Sequence, residues 1–352
     1  MEPSIPEWVI RLCEAGGRAP SADNSQPWRF VWDGEELRLT VDEVRAQGLG
    51  QDHPALFLAL GAVIENIIQA VQAAGLPLAC VRMSDGSGHP REFLRVSVPP
   101  DRPLIPRVPA LLERHTHRGD FSKAPLPASV RARLGAMEEP PARAMILEDR
   151  AVIRQLARLI ERASEARFRN QELHRWFAQS LRYGHEADKG DGLAVDTLHL
   201  PPGGALLLRW TADWKHMAAL NRFGAYKLFG GLEAAKVRRC GAIIAIIGST
   251  RSQASMIASG RLMERMWLQL NADGVAVHPF FGLTDQVIRW RRGWLPAALR
   301  EQAARIAKET AALLGLGDEE VLIVLRAGMA RKSPKRSRRL PLSEVLAVVA
   351  PA

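Results

Sequence analysis

Three short stretches of this chain carry side chains whose types and spacing suit the binding of a polar, charged ligand. Ala19 to Phe30 (APSADNSQPWRF) packs Ser21, Asn24 and Gln26 into a few residues ahead of Trp28 and Phe30. Short polar side chains in such a loop can turn inward and hydrogen-bond the edge of a planar heterocycle, while the two aromatics anchor the loop in a core. On spacing alone an ordinary turn that caps its own backbone explains the same residues. The second stretch, Arg114 to Phe121 (RHTHRGDF), places Arg114, His115, Thr116 and Arg118 together. Guanidinium forks match phosphate oxygens through paired N–H bonds, and a basic surface turn is the plainer reading. His115 and His117 alternate as metal ligands on a strand would, but no Cys or carboxylate set nearby completes a metal site. The third stretch follows the apolar run Val321 to Gly328 and holds Lys335, Arg336, Arg338 and Arg339. Alone, such a cluster fits nucleic acid or a solvated tail equally well.

The elements that must position these stretches are legible in outline. A helix is expected from Pro6 to Ala15, ended by Gly16-Gly17. Strands Arg29–Trp32 and Glu36–Val41 flank Asp33-Gly34, a hairpin signal. Leu56, Leu60, Val63, Ile64, Ile67, Ile68 and Val71 recur at helical spacing, predicting a helix from Ala55 to Ala74. Strands Leu78–Met83 and Phe93–Val98 follow, then a proline-rich linker from Val98 to Pro109. Beyond it come a short helix into Arg114, helical regions over 150–183 and 210–229, and a buried strand near Cys240. Helices at 255–272 and 296–314 and strands at 275–279 and 321–325 complete the reading. Gly61 to Met83 and Ser259 to Phe281 repeat one helix–Gly–strand order, the mark of a degenerate duplication.

Composition excludes several classes. Of 352 residues, 47% are hydrophobic and 24% charged, the balance of a folded globular protein. Runs of 18 apolar residues do not occur, and MEPSIPEWVIRLCEAGG lacks the parts of a secretory signal. Cys13, Cys80 and Cys240 show no paired spacing, so a reduced, cytoplasmic setting is expected. The net charge of +10 favours anionic partners without choosing among them.

The first stretch resembles the Ala-Pro-Ser-x-x-Asn-x-Gln-Pro-Trp signature of the nitroreductase family of FMN-dependent α+β oxidoreductases, with Ala22 where a second serine is common. The second resembles that family's Arg-Arg-Ser-x-Arg segment, with His115 and Thr116 for the second Arg and the Ser. The resemblance implies FMN, with Ser21, Asn24 and Gln26 at the flavin, Thr116 at the ring edge, and Arg114, His115 and Arg118 toward the phosphate. It also places Arg336, Arg338 and Arg339 near the phosphate. Family members carry Pro-x-Glu-Gly beside the ring; this chain has Pro279-Phe280-Phe281-Gly282, so Phe281 and Gly282 take those places and Phe281 occupies the Glu position.

The loop lies in residues 1–108 and the arginine segment in 109–352, whereas the family draws one site from two subunits. The implied fold is therefore α+β and nitroreductase-like, with two pseudo-symmetric halves mimicking a dimer and a helical, lid-like insert at about 153–236. This arrangement is similar to the duplicated Acg family of FMN-binding proteins. The activity implied is ping-pong hydride transfer through FMN N5 to a small organic substrate, with NAD(P)H as reductant. A redox-silent FMN store and a specialised enzyme on a biosynthetic intermediate are the alternatives. The expected partners are a small-molecule substrate and neither nucleic acid nor membrane, with the chain a monomer or weak homodimer.

Overall fold

The computed structural model describes residues 4–47, 52–84, 91–99 and 104–349. The middle of the expected proline linker, 100–103, lies outside the described residues. The chain opens with helix α1 (Glu7–Gly16), the hairpin β1 (Trp28–Trp32) and β2 (Leu37–Val41), and a short α2 (Glu43–Ala46). Asp33 stabilises the hairpin loop by accepting from the Glu35 and Glu36 amides, at 3.0 and 2.8 Å. Then come α3 (Pro54–Ala73), β3 (Val81–Met83) and β4 (Glu92–Val96).

Next follow α4 (Pro109–Glu113), α5 (Ala128–Gly135) and β5 (Arg143–Leu147). A long helical excursion holds α6 (Arg150–Phe168), α7 (Gln171–Ser180), α8 (Gly204–Thr211), α9 (Trp214–Arg222) and α10 (Ala225–Arg238). Between α7 and α8 lie two tiny strands, β6 (Leu181–Arg182) and β7 (Leu193–Ala194). The chain ends with β8 (Ala242–Gly248), α11 (Gln253–Ala272), β9 (Ala276–Phe280), α12 (Gly282–Arg291), α13 (Ala297–Leu314), β10 (Glu320–Gly328), α14 (Leu342–Val345) and β11 (Leu346–Val348).

The fold is α+β, with two main sheets ordered β11-β1-β2-β4-β3 and β5-β8-β10-β9. Within each, four strands lie in the same chain-order pattern, first-second-fourth-third, through antiparallel pairs. A 20-residue helix joins the second and third strands of both sets, α3 in one and α11 in the other. β8 reads AIIAIIG and β10 EVLIVLRAG, and both are buried along their whole length. Continuous apolar runs of this kind suit strands covered on both faces.

Where α3 crosses α11, glycines let backbone meet backbone. A Cβ on Gly61 would stand 2.2 Å from the Ile257 carbonyl oxygen, and one on Gly260 2.3 Å from that of Leu58. The contact is reciprocal: each helix offers a glycine to a carbonyl of the other. α3 is apolar enough over 18 residues to cross a membrane (mean hydropathy 1.7), but 89% of that window is buried inside the protein.

Several expected elements differ in detail. The stretch from Leu78 begins as a 3-10 turn and only Val81–Met83 is strand. The 150–183 helix breaks at Asn170, whose side chain accepts from the Glu172 and Leu173 amides and starts a new helix. The 210–229 helix breaks at Gly224, which takes a positive φ of 86°. Helix α5, edge strand β5, helix α12 and strand β11 stand where the sequence suggested no element. β11 returns from the C-terminus to pair in parallel with β1, Phe30 opposite Leu346.

The crossing makes a stability prediction. Gly61→Ala is expected to cost roughly 2 kcal/mol or more, because overpacking against backbone outweighs the gain in helix propensity. Gly135→Ala, at a helical position with nothing within 4 Å of an added Cβ, is expected to be neutral or slightly stabilising. Urea denaturation of both variants checks the contrast.

Candidate functional site

Three remote segments converge: the loop after α1, the segment after α4, and the tail after β10. The loop is tightly constrained. Asp23, Asn24 and Gln26 all take left-handed φ values of 47°, 58° and 50°, which for residues with a Cβ cost on the order of 1–2 kcal/mol each. Hydrogen bonds hold them there. Asn24 Nδ2 donates to the carbonyls of Gly190 (3.0 Å) and Arg338 (3.2 Å), and Asn24 Oδ1 accepts from Arg339 Nη1 (2.9 Å). Gln26 Nε2 donates to Gly190 (2.9 Å), and its Oε1 accepts from the Leu340 amide (3.0 Å). Ser21 Oγ accepts from the Gln26 amide at 2.9 Å.

The arginine segment approaches from the other side. Arg114 is buried, its guanidinium 4.6 Å over the Trp267 ring, and its Nε lies 3.0 Å from the buried carboxylate of Glu264. Arg114 Nη2 donates to the Arg18 carbonyl (2.8 Å). Arg339 Nη2 donates to that same carbonyl (3.3 Å) and to Ala19 (3.2 Å). Two guanidinium groups, one from the segment after α4 and one from the tail after β10, thus share one oxygen. Arg114 Nη1 and Arg339 Nε are buried with no hydrogen-bond partner among the described residues. Burial holds the Arg339 guanidinium down to about 9, with the neighbouring Arg114 and Arg18 charges adding to the effect. Such a cluster of cations around one carboxylate favours an anion.

Burial pushes the Glu264 carboxyl up to about 7, although Arg114 and Arg339 pull it down. Burial also raises Asp23 against the pull of Arg167 and Arg118. Arg118 Nη1 donates to Thr197 Oγ1 (3.3 Å). His115 donates its amide to Asn271 Oδ1 (3.0 Å), and burial lowers its imidazole, with Arg336 close enough to contribute. Thr116 stands half-buried between them.

The structure therefore brings Ser21, Asn24, Gln26, Arg114 and Arg339 into one network, whereas Arg118 bonds to Thr197 and His115 to Asn271 and Glu113 outside it. Arg338 contributes its carbonyl to Asn24, while its guanidinium turns outward to Asp188. Lys335 pairs with Asp196 at 3.1 Å. Phe281 sits just ahead of α12, 5.7 Å from the His53 ring. Gly282 starts that helix, and no atom lies within 4 Å of an added Cβ. Asp285 on α12 is close enough for its charge to add to the rise of Asp23. Asp285 is also held by His53 Nε2 at 3.3 Å and by Arg289 at 3.0 Å.

Residues between α7 and α8 close over the loop. Gly190 supplies the carbonyl that both loop amides use, and at its φ of 85° an added Cβ would strike the Arg339 carbonyl at 2.2 Å. Sequence reading missed Glu264, Trp267, Asp23 and Gly190. Glu264 leaves one usable signal, a lone acid inside the otherwise apolar face of SGRLMERMWLQL.

No family model matches the sequence, and no curated protein does. Solved structures similar to it include an iodotyrosine deiodinase bound to FMN and 3-iodo-L-tyrosine (16% identity, TM-score 0.36, 66% of this chain and 94% of that one). A nitroreductase with bound FMN from Bacteroides fragilis gives 10% identity and a TM-score of 0.37 over 66% and 93% of the two chains. The FMN-dependent nitroreductase NfnB from Mycobacterium smegmatis, in complex with NADPH, gives 16% and 0.36 over 67% and 94%.

The raised carboxyl of Glu264 makes a prediction with a definite sign. The unfolded chain loses this proton near the ordinary value of 4.5 and the folded protein near 7. Stability from this group is thus complete below pH 4.5 and falls on the order of 2–3 kcal/mol as pH rises to 7. Glu264→Gln is expected to remove that slope. Unfolding free energies of both proteins across pH 4.5–8 check it; parallel curves would refute the assignment.

Proposed function

We propose that this chain binds one FMN and works as a nitroreductase-type flavoprotein. The observation that carries the reading is the convergence of the Ser21–Gln26 loop, Arg114 and Arg339, each from a different part of the sequence, on one cationic site. The unpartnered N–H groups of Arg114 and Arg339 fit a phosphate, which would satisfy both and offset the desolvation of the two guanidinium groups. Arg118 is close enough for its charge to act on the Arg339 guanidinium. Ser21 keeps its own O–H free to donate while accepting from Gln26, and the half-buried Thr116 is a second hydroxyl for the ring edge.

FMN, when bound, supplies hydride-carrying N5 chemistry between a reduced nicotinamide and a small organic acceptor. The protein's own contribution is orientation and charge: arginines fix the phosphate, hydroxyls and amides fix the ring edge, and the Gly190 segment keeps water out. Phe281, in place of a carboxylate, is a partly buried apolar ring 5.7 Å from that of His53. Two sheets with the same strand order, each with a 20-residue helix at the same place, support two halves of common origin. The helices between β5 and β8 correspond to the lid-like insert.

One observation favours a second reading, an FMN store that does not turn over. Gly190, Thr197, Asp188 and Asp196 all engage the loop, the arginine segment or the tail, so the cover is fastened at four points.

Purified protein reconstituted with FMN is expected to hold the flavin, and Arg118→Ala is expected to weaken binding roughly tenfold through loss of one charged contact. Flavin fluorescence quenching measures this. Failure to bind FMN at all sinks both readings. In anaerobic titration with NADPH and then NADH, bleaching of bound flavin establishes the reductase, and persistence of the yellow colour establishes the store.

A further inference from the structure

The helices α8 to α10 carry an unusual surface. Phe223 is 90% exposed, Leu206 75%, Leu228 63%, Leu232 56%, Trp210 48% and Leu207 47%. Leu206 and Trp210 stand one turn apart on α8, Leu228 and Leu232 one turn apart on α10, and such pairs share a helix face. Phe223 projects from the corner before α10, where Gly224 turns the chain at a φ of 86°. Single exposed apolar residues are ordinary, but so many large ones between Leu206 and Leu232 mark a contact surface.

Charge decides among occupants. Residues 201–240 hold seven Lys and Arg against Asp213 and Glu233, a net +5 and half the chain's +10. Glu233 is already paired with Arg167, and Asp213 caps α9. Arg209, Lys215, Arg222 and Lys227 are exposed on the same helices as the apolar side chains. A second copy docking here through a two-fold contact would set these cations against their own likenesses, which opposes association. Nucleic acid would leave the leucine ridges unexplained. Exposed apolar ridges with a Trp and a Phe, on helices that also expose Lys and Arg, match the headgroup zone of an anionic bilayer, where tails receive the side chains and phosphates receive the cations.

We propose that α8–α10 form a peripheral docking surface for anionic lipid membranes, with Phe223 and the two leucine ridges entering the interface. The sequence offers no free spanning segment, and among the described residues the one helix apolar enough to span is spent in the core. A surface-lying mode needs none. A membrane-docking surface departs from the sequence-based expectation of no membrane partner.

Sedimentation of the full chain with vesicles tests it. The protein is expected to pellet with phosphatidylcholine vesicles containing phosphatidylglycerol, to stay in solution with phosphatidylcholine alone, and to be released by salt. Phe223→Ser with Leu228→Ser, both at exposed positions outside the core, should bind roughly tenfold more weakly while the circular dichroism spectrum is unchanged. Arg209→Glu with Lys227→Glu should act the same way through charge. No binding of wild type to the anionic vesicles, or equal binding by both double variants, overturns the proposal. So does concentration-dependent self-association that Phe223→Ser with Leu228→Ser abolishes, which would assign the face to a second copy.

Discussion

The backbone contact between α3 and α11 sets the geometry on which everything else depends. Only glycine at 61 and 260 allows the helices to close to this distance. Each helix then holds one side of the candidate site. Asn66 on α3 donates to the Ala15 carbonyl (3.1 Å), fixing the end of α1 and hence the start of the Ser21–Gln26 loop. Glu264 and Trp267 on α11 hold Arg114, and Trp267 Nε1 also donates to the His115 carbonyl (3.1 Å). Glu264 has Arg114 as its ion-pair partner and accepts no hydrogen bond among the described residues. The separation of loop and arginine segment is thus set by the helix crossing, and a shift there would move both.

Burial of charge is the cost of this arrangement. Arg114 and Glu264 are withdrawn from water near the site with Arg339 half-buried beside them, and another arginine, Arg326, is fully buried on β10. Arg326 has no carboxylate within ion-pair distance among the described residues. It donates instead to the carbonyls of Gly119 (2.6 Å), His117 (3.4 Å) and Lys236 (3.2 Å) and to His278 Nδ1 (3.2 Å), and lies 4.0 Å over the Phe121 ring. Burial brings its guanidinium down to about 10. It joins the arginine segment, β9 and α10 by hydrogen bonds that substitute for water, which is how an unpaired buried charge is tolerated.

Sequence reading found what periodicity and turn chemistry express locally. α3 follows from its apolar spacing, the hairpin from Asp33-Gly34, and the polar loop from its crowding of Ser, Asn and Gln. It missed what is decided at a distance. β5 is a half-exposed edge strand beginning with Arg143, and its identity as strand comes from pairing with β8, which follows only after the whole helical excursion. β11 reads as an apolar tail until its partner β1, at the opposite end of the chain, is known. The candidate residues were legible as three clusters, but their meeting was not, because no local pattern states that Arg339 and Arg114 share the Arg18 carbonyl. Nor did the loop's sequence betray its three left-handed residues, since Asp and Asn tolerate that conformation and Gln rarely adopts it.

Those three residues explain why loop, tail and cover act as a unit. A loop strained by several kcal/mol does not keep its shape alone. Here the amides of Asn24 and Gln26 satisfy, and are satisfied by, Gly190, Arg338, Arg339 and Leu340. Removing the cover would leave two buried amides short of acceptors, at about 1–3 kcal/mol for each unsatisfied group, in addition to releasing the strain. Opening the Gly190 segment therefore also loosens the loop, and a ligand that replaced the Gly190 carbonyl with an acceptor of its own would hold the loop in its present shape while letting the cover lift. The same amides that could recognise a heterocycle edge are those that bond to Gly190, so a ligand and the Gly190 segment compete for one set of hydrogen bonds.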